Sequence, residues 1–265
     1  MKTQSKRLEI IADKFLKQLQ HLRTFFQLLA DELFYTAQYL LKRRGIYPGD
    51  IGKQFFFMAY KSFPIVSLIT FLVGVTISLT SAAQLKLFGA DIYLSWFVGI
   101  AMLRELVPLM TGVILAGKIG ASVTAEISTM KVLDEIDALK TMGVIPEKFL
   151  MVPRLIAITL AVPLLVAIAD FVGIFGGVLV GRFFSGIPAE SFMREMLNIV
   201  SIKDFFIGLA KTMVFGWTII ISSGFKGFSV QKGAEEVGRA TTESVVLSIS
   251  LIIFIDCIFA FFLYF

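Results

Sequence analysis

An all-α membrane protein is predicted, and three observations predict it. Hydrophobic residues make up 57% of the chain, charged residues only 17%, and mean hydropathy is +0.83; a soluble domain usually carries roughly a quarter of charged residues. Apolar runs close to the ~20 residues needed to cross a hydrocarbon core recur from Phe63 to Leu85, Ile92 to Ile119, Leu155 to Val180, Phe205 to Phe225 and Val245 to Phe265. Lys and Arg concentrate before the first run and after the second, and only Lys86 follows the first. The expectation is an N-terminal interfacial amphipathic helix and five transmembrane helices, with a cytoplasmic helix between the second and third. Residues 1–50 form the N-terminal segment and residues 51–265 the transmembrane domain.

The N-terminal segment is not a span. Leu8, Ile11, Phe15, Leu19, Leu22, Phe26, Leu29 and Leu33 step by three or four, while Lys14, Lys17 and Arg23 fall elsewhere on the wheel. That is helical periodicity, and a basic amphipathic helix lies among headgroups with its apolar face in acyl chains. Packing on a partner protein is the alternative. No charged-then-apolar signal with a cleavage site is expected here. His21 reads as an interfacial residue. Gly45, Pro48 and Gly49 punctuate the chain before the membrane domain.

Orientation follows from loop charge. Lys42, Arg43, Arg44, Lys53 and Lys61 are among the cations ahead of span one, Lys131, Lys140, Lys148 and Arg154 follow span two, and Lys226, Lys232 and Arg239 follow span four. Lys86 stands alone after span one, and Arg182, Arg194 and Lys203 follow span three. The N-terminus and the second and fourth loops are therefore expected in the cytoplasm and the C-terminus outside. The net charge of +5 suits anionic lipid at the cytoplasmic edge and does not argue for nucleic acid.

Small residues recur at four-residue spacing: Gly74, Ser78 and Ala82; Gly112, Ala116, Gly120 and Thr124; Ala169, Gly173, Gly177 and Gly181; Gly208, Thr212 and Gly216. Such stripes let helix backbones approach closely in lipid and predict one compact bundle. In the loop after span three, Pro188 and Glu190 mark the start of a short outside helix. After span two, Val132, Leu133, Ile136 and Leu139 form an apolar stripe flanked by Lys131, Asp134, Glu135, Asp137 and Lys140, and Gly143 and Pro146 stop it. It reads either as a linker helix on the bilayer or as a helix that docks a partner.

Charges inside apolar runs default to function. Arg104, Glu105, Lys118, Glu126, Asp170, Lys211 and Asp256 are these charges. Arg104 and Glu105 point about 100° apart, so each needs its own partner, and Pro108 kinks the span beside them. Asp256 with Lys211 is a reasonable interhelical pair. One Cys and one His leave no disulfide and little metal or triad chemistry, so no metal site is expected. There is no GxxxxGK[ST] loop; GAEEVGRATT, Gly233 to Thr242, reads as a tight cytoplasmic turn, with Thr241 or Thr242 capping span five. The chain is expected not to be an enzyme and to hold no cofactor.

At these residues the chain resembles the MlaE (YrbE-like) family of ABC-transporter permeases. The similarity covers Lys61 to the C-terminus and rests on REL-x-P (Arg104 to Pro108), AGKIGAS-x-x-AEI-x-TMKV (Ala116 to Val132), EIDALKTMGV-x-P (Glu135 to Pro146), VPR (Val152 to Arg154) and GAEEVGRATTESVV (Gly233 to Val246), followed by Asp256. Gln84 with FGA fits the end of the first span. Lys118 stands where the family usually has Arg, and SSGFKG (Ser222 to Gly227) departs from its usual Cys-Tyr pair. The resemblance implies a homodimeric inner-membrane permease of a two-membrane bacterium that moves phospholipid to or from a periplasmic MCE-domain protein and maintains outer-membrane lipid asymmetry. It implies a cytoplasmic ABC ATPase holding the ATP and Mg, and a STAS-domain protein on that ATPase. Arg104, Glu105 and Gln84 would bind or gate substrate; Val132, Leu133, Glu135, Ile136, Asp137 and Leu139 would couple to the ATPase. Two other classes compete on the residues alone: a proton-driven secondary transporter using Glu105, Asp170 and Asp256, and a membrane-bound lipid enzyme, which lacks a catalytic constellation.

Overall fold

The computed structural model describes residues 23–24, 27–28, 30–38, 48–231 and 233–264. The expected stripe from Leu8 to Leu22, with Lys14, Lys17 and His21, lies outside the described residues, as do Phe26, Leu29 and Lys232. Residues 30–38 are helical. The helices that follow are α1 (Pro48–Ala59), α2 (Phe63–Leu87), α3 (Asp91–Val132), α4 (Glu135–Thr141), α5 (Pro146–Phe184), α6 (Ala189–Ile199), α7 (Ile202–Phe228) and α8 (Ala234–Tyr264). Five helices among the described residues are long and apolar enough to cross a membrane: α1 with α2, then α3, α5, α7 and α8.

The spans outrun the apolar runs that announce them. Pro146 begins α5, ahead of the expected Leu155, because proline is preorganised for a first helical turn. Span five starts at Ala234, not Val245. The expected turn at Gly233 to Thr242 is thus mostly helix: only Gly233 leaves helical space, at φ +105°. Thr241 is not a cap. Its hydroxyl donates to the Val237 carbonyl at 2.7 Å, the i−4 bond a threonine makes inside a helix. α6 forms after Pro188, as expected, and buries Phe192 and Met196.

α5 runs through the middle of the bundle and packs against α1, α2 and α7. Ile158, Val162, Val166, Phe215, Ile219 and Ile252 are buried core residues. The small-residue stripes do the work expected of them. A Cβ placed at Gly74 would fall on the Gly173 carbonyl, and one at Gly176 would lie 2.7 Å from the Phe71 carbonyl. α2 and α5 therefore touch backbone to backbone. One at Gly208 would lie 2.7 Å from the Leu103 carbonyl, so α7 approaches α3 equally closely.

α4 and the turn before α8 occupy one end of the bundle, where residues 30–38 also meet α5: Lys148 Nζ stands 5.6 Å from the centroid of the Tyr35 ring. Glu32 is fully buried there, and neither carboxylate oxygen has a hydrogen-bond partner. Desolvation, with Glu147 and Asp31 adding to it, pushes this carboxyl up to about 9.

Candidate functional site

α3 is not a uniform helix. It slips into a π turn at Met102–Leu106 and again at Ala116–Gly120. Proline 108 has no N–H, so the Arg104 carbonyl four residues earlier loses its α-helical donor. Lys211 Nζ of α7 takes that carbonyl at 3.1 Å. A backbone defect on one span thus becomes a polar contact with another.

The same Lys211 pairs with Glu105 Oε2 at 2.6 Å and Asp256 Oδ1 at 2.5 Å. Its side chain is fully buried, while those of Glu105 and Asp256 are 27% and 16% exposed. The lysine is therefore clamped between α3 and α8. Arg104 turns the other way along α3 and meets Asp204 at 2.8 Å. Asp204 is fixed by a capping box: its Oδ2 accepts the Ser201 N–H at 2.8 Å, and Ser201 Oγ accepts the Lys203 N–H at 3.3 Å. Asp204 and Lys211 are seven residues apart, two helical turns, so they share one face of α7. Arg104 and Lys211 against Glu105, Asp204 and Asp256 leave the constellation one negative charge in excess at full ionisation.

Other expected residues fall elsewhere. Gln84 is exposed near the end of α2. Asp170, buried in α5, has no partner on Oδ1. Lys118 donates to the Lys61 backbone carbonyl. Glu126 pairs with the buried Arg154 at 2.7 Å. The second π turn is filled as the first is. Thr124 Oγ1 and Ser223 Oγ reach the Gly120 carbonyl at 2.8 and 3.1 Å, and Thr124 meets Ser244 Oγ at 2.7 Å. This hydroxyl trio ties α3, α7 and α8 together one stage closer to α4.

α4 departs from the expected single apolar stripe. Asp134 adopts φ +59° and separates α4 from α3, so the two segments do not share one helical face. Ile136 points into the core at 1% exposure, while Leu133 is 62% exposed. Val132 closes α3, Leu139 is half-buried, and Glu135 and Asp137 are exposed. Hydrogen bonds from Lys131 and Lys140 hold the Asp137 carboxyl below its usual range. Ile136 anchors the helix, and Leu133 and Met142, at 62% and 68% exposure, flank what it presents.

Asp204 and Arg154 were the residues sequence reasoning did not assign to a site. Ser201-x-x-Asp204 ahead of an apolar run was the available signal for the first. For the second, an Arg that ends VPR at the foot of a span offered only its charge.

The comparisons agree in direction. The family model described as Permease MlaE matches residues 51–262. A probable ABC transporter permease protein of Rickettsia typhi is 38% identical over 208 residues, covering 78% of this chain and 80% of the relative. One of Synechocystis is 32% identical over 243 residues, covering 90% and 91%. One of Porphyra purpurea is 32% identical over 214 residues, covering 81% of each.

Proposed function

The chain belongs to the MlaE permease family of multi-pass membrane proteins, and from that premise we propose that it is the permease of an ATP-driven phospholipid transporter. Two copies form the membrane unit. A separate cytoplasmic ABC ATPase, carrying the ATP and Mg, docks at the α4 end, with a STAS-domain protein on it. A periplasmic MCE-domain protein receives or delivers glycerophospholipid at the α6 end, which maintains outer-membrane lipid asymmetry. The membrane is the bacterial inner membrane, with the N-terminus cytoplasmic and the C-terminus periplasmic, as the loop charges favour.

The observation that carries this reading is the five-charge constellation of Arg104, Glu105, Asp204, Lys211 and Asp256 in an apolar bundle. Intramembrane charges persist where they meet one another or a substrate. Arg104 and Glu105 keep 27% of their side-chain surface, so a headgroup reaching them finds a guanidinium for its phosphate and a carboxylate for its ammonium. Gln84 stands apart as a gate residue at the end of α2. Names of the relatives add the ATP-driven class.

The test is reconstitution of the chain with its co-purified ATPase and carrier in vesicles of labelled phospholipid. ATP-dependent transfer that Arg104→Ala abolishes supports the reading. A proton-driven transporter is the second reading, favoured by the excess negative charge and by Asp170, whose buried Oδ1 has no partner. Transfer that ignores ATP and collapses with the proton gradient would establish that one instead.

A further inference from the structure

A groove of about 220 Å³ opens at the α4 end of the bundle, far from the five-charge constellation. Asp50 and Lys53 of α1 line one side, Glu126 of α3 and Arg154 of α5 the other, and Phe149 and Pro153 form its apolar wall. Glu126 lies 22 residues beyond Arg104 on α3, roughly 30 Å along the axis. Glu126 and Arg154 each stand roughly 10 Å inside the ends of helices that, at 42 and 39 residues, outrun a hydrocarbon core of about 30 Å.

Arg154 is the group that points to a ligand. Its side chain is 3% exposed, Nη1 donates to the Leu150 carbonyl at 2.7 Å, Nη2 meets Glu126 at 2.7 Å, and Nε has no acceptor. A guanidinium presents its donors in a fixed fork that matches phosphate. Glu126 is 52% exposed and keeps lone pairs for a second donor. Lys53 and Asp50 sit 3.9 Å apart with 82% and 47% of their side chains exposed, a loose pair that a better-placed ligand displaces. Two cations and two carboxylates sum to zero. A singly anionic headgroup that draws Lys53 away leaves Asp50 without its cation, whereas a zwitterion also brings an ammonium for Asp50 and for the lone pairs Glu126 keeps beside its bond to Arg154.

We propose that this groove binds the headgroup of a zwitterionic phospholipid of the phosphoethanolamine class. The phosphate lies between Arg154 and Lys53, the ammonium reaches Glu126 and Asp50, and the glycerol backbone leaves along Phe149 and Pro153. The proposal needs only that the spans lie in a bilayer; it does not depend on which molecule the constellation at Arg104 handles or on what drives it.

The experiment uses the full chain with its co-purified subunits in nanodiscs of mixed phosphatidylethanolamine and phosphatidylglycerol. Each lipid in turn carries a photoreactive group at the head of its acyl chain, and labelled peptides are mapped. Phosphatidylethanolamine is expected to label the peptide containing Phe149 and Pro153 about tenfold more than phosphatidylglycerol, the worth of one charge-assisted hydrogen bond. Asp50→Asn, at an exposed position, lowers that preference, and Lys53→Ala lowers labelling by both lipids. Equal labelling by the two lipids, or none in the groove, overturns the proposal. Displacement of the label by soluble phosphoethanolamine assigns the groove to a water-soluble phosphate ester and overturns the lipid assignment. Label that appears only after the ATPase is stripped away assigns it to a protein contact and overturns it too.

Discussion

Lys211 lies 2.5 Å from Asp256 with its side chain wholly buried, so a charge that water does not reach joins the fourth span to the fifth. Glu105 closes the same lysine onto the second span at 2.6 Å. Removing the cation leaves two carboxylates facing each other in a low dielectric. Lys211→Ala is expected to cost about 3 to 5 kcal/mol of stability, read as a lower thermal midpoint in detergent. Lys211→Met with Asp256→Asn recovers part of that stability without recovering lipid transfer. Recovery of both would make the cluster purely structural.

Pro108→Ala tests the link between the kink and the cluster. Alanine supplies an N–H that competes with Lys211 Nζ for the Arg104 carbonyl. Hydrogen exchange at residue 108 should show a protected amide, and transfer should fall about tenfold, the worth of one charge-assisted hydrogen bond. A protected amide with unchanged transfer separates the π turn from function.

At the α4 end, exposure sorts the residues. Ile136→Ala empties a filled site and should cost about 2 to 5 kcal/mol. Leu133→Asp changes an exposed position and should shift stability by no more than about 0.5 kcal/mol, yet it should prevent recovery of the ATPase on purification. Undiminished recovery with Leu133→Asp moves the contact to the segment from Gly233 to Thr242.

Glu32 makes the docking of residues 30–38 depend on pH. Its carboxyl, ordinarily at 4.5, is pushed up to about 9. Between those values the docked state holds more protons than the released one, so docking weakens as pH rises. Limited proteolysis within residues 30–38 should be slow near pH 5 and faster toward pH 9. Glu32→Gln should flatten that profile. A profile unchanged by Glu32→Gln would place the titrating group elsewhere.

Much of this architecture was legible because lipid permits few solutions. Apolar runs located all five spans, and the Gly74 and Gly173 stripes announced close helix contact. The Lys211 and Asp256 pairing was readable as opposite charges in two apolar runs. Asp204 was not, because it sits where the loop ends and only the fold brings it to Arg104. The π turns of α3 were hidden for the same reason: Pro108 forecasts a lost hydrogen bond, while the donor that replaces it comes from α7. At α4 the three-to-four spacing suggested one apolar face, but Asp134 at φ +59° breaks the register and turns Ile136 inward.

The meeting of Gly74 with the Gly173 carbonyl bears on how the bundle can move. Packed helices change partners by re-seating side chains from one rotamer set to another. A seam made of backbone has nothing to re-seat. α2 and α5 are therefore expected to travel together, with the hinge for any opening on α3. That helix touches both this pair and the pair α7 and α8, and its hydrogen-bond register already slips at two places along its length.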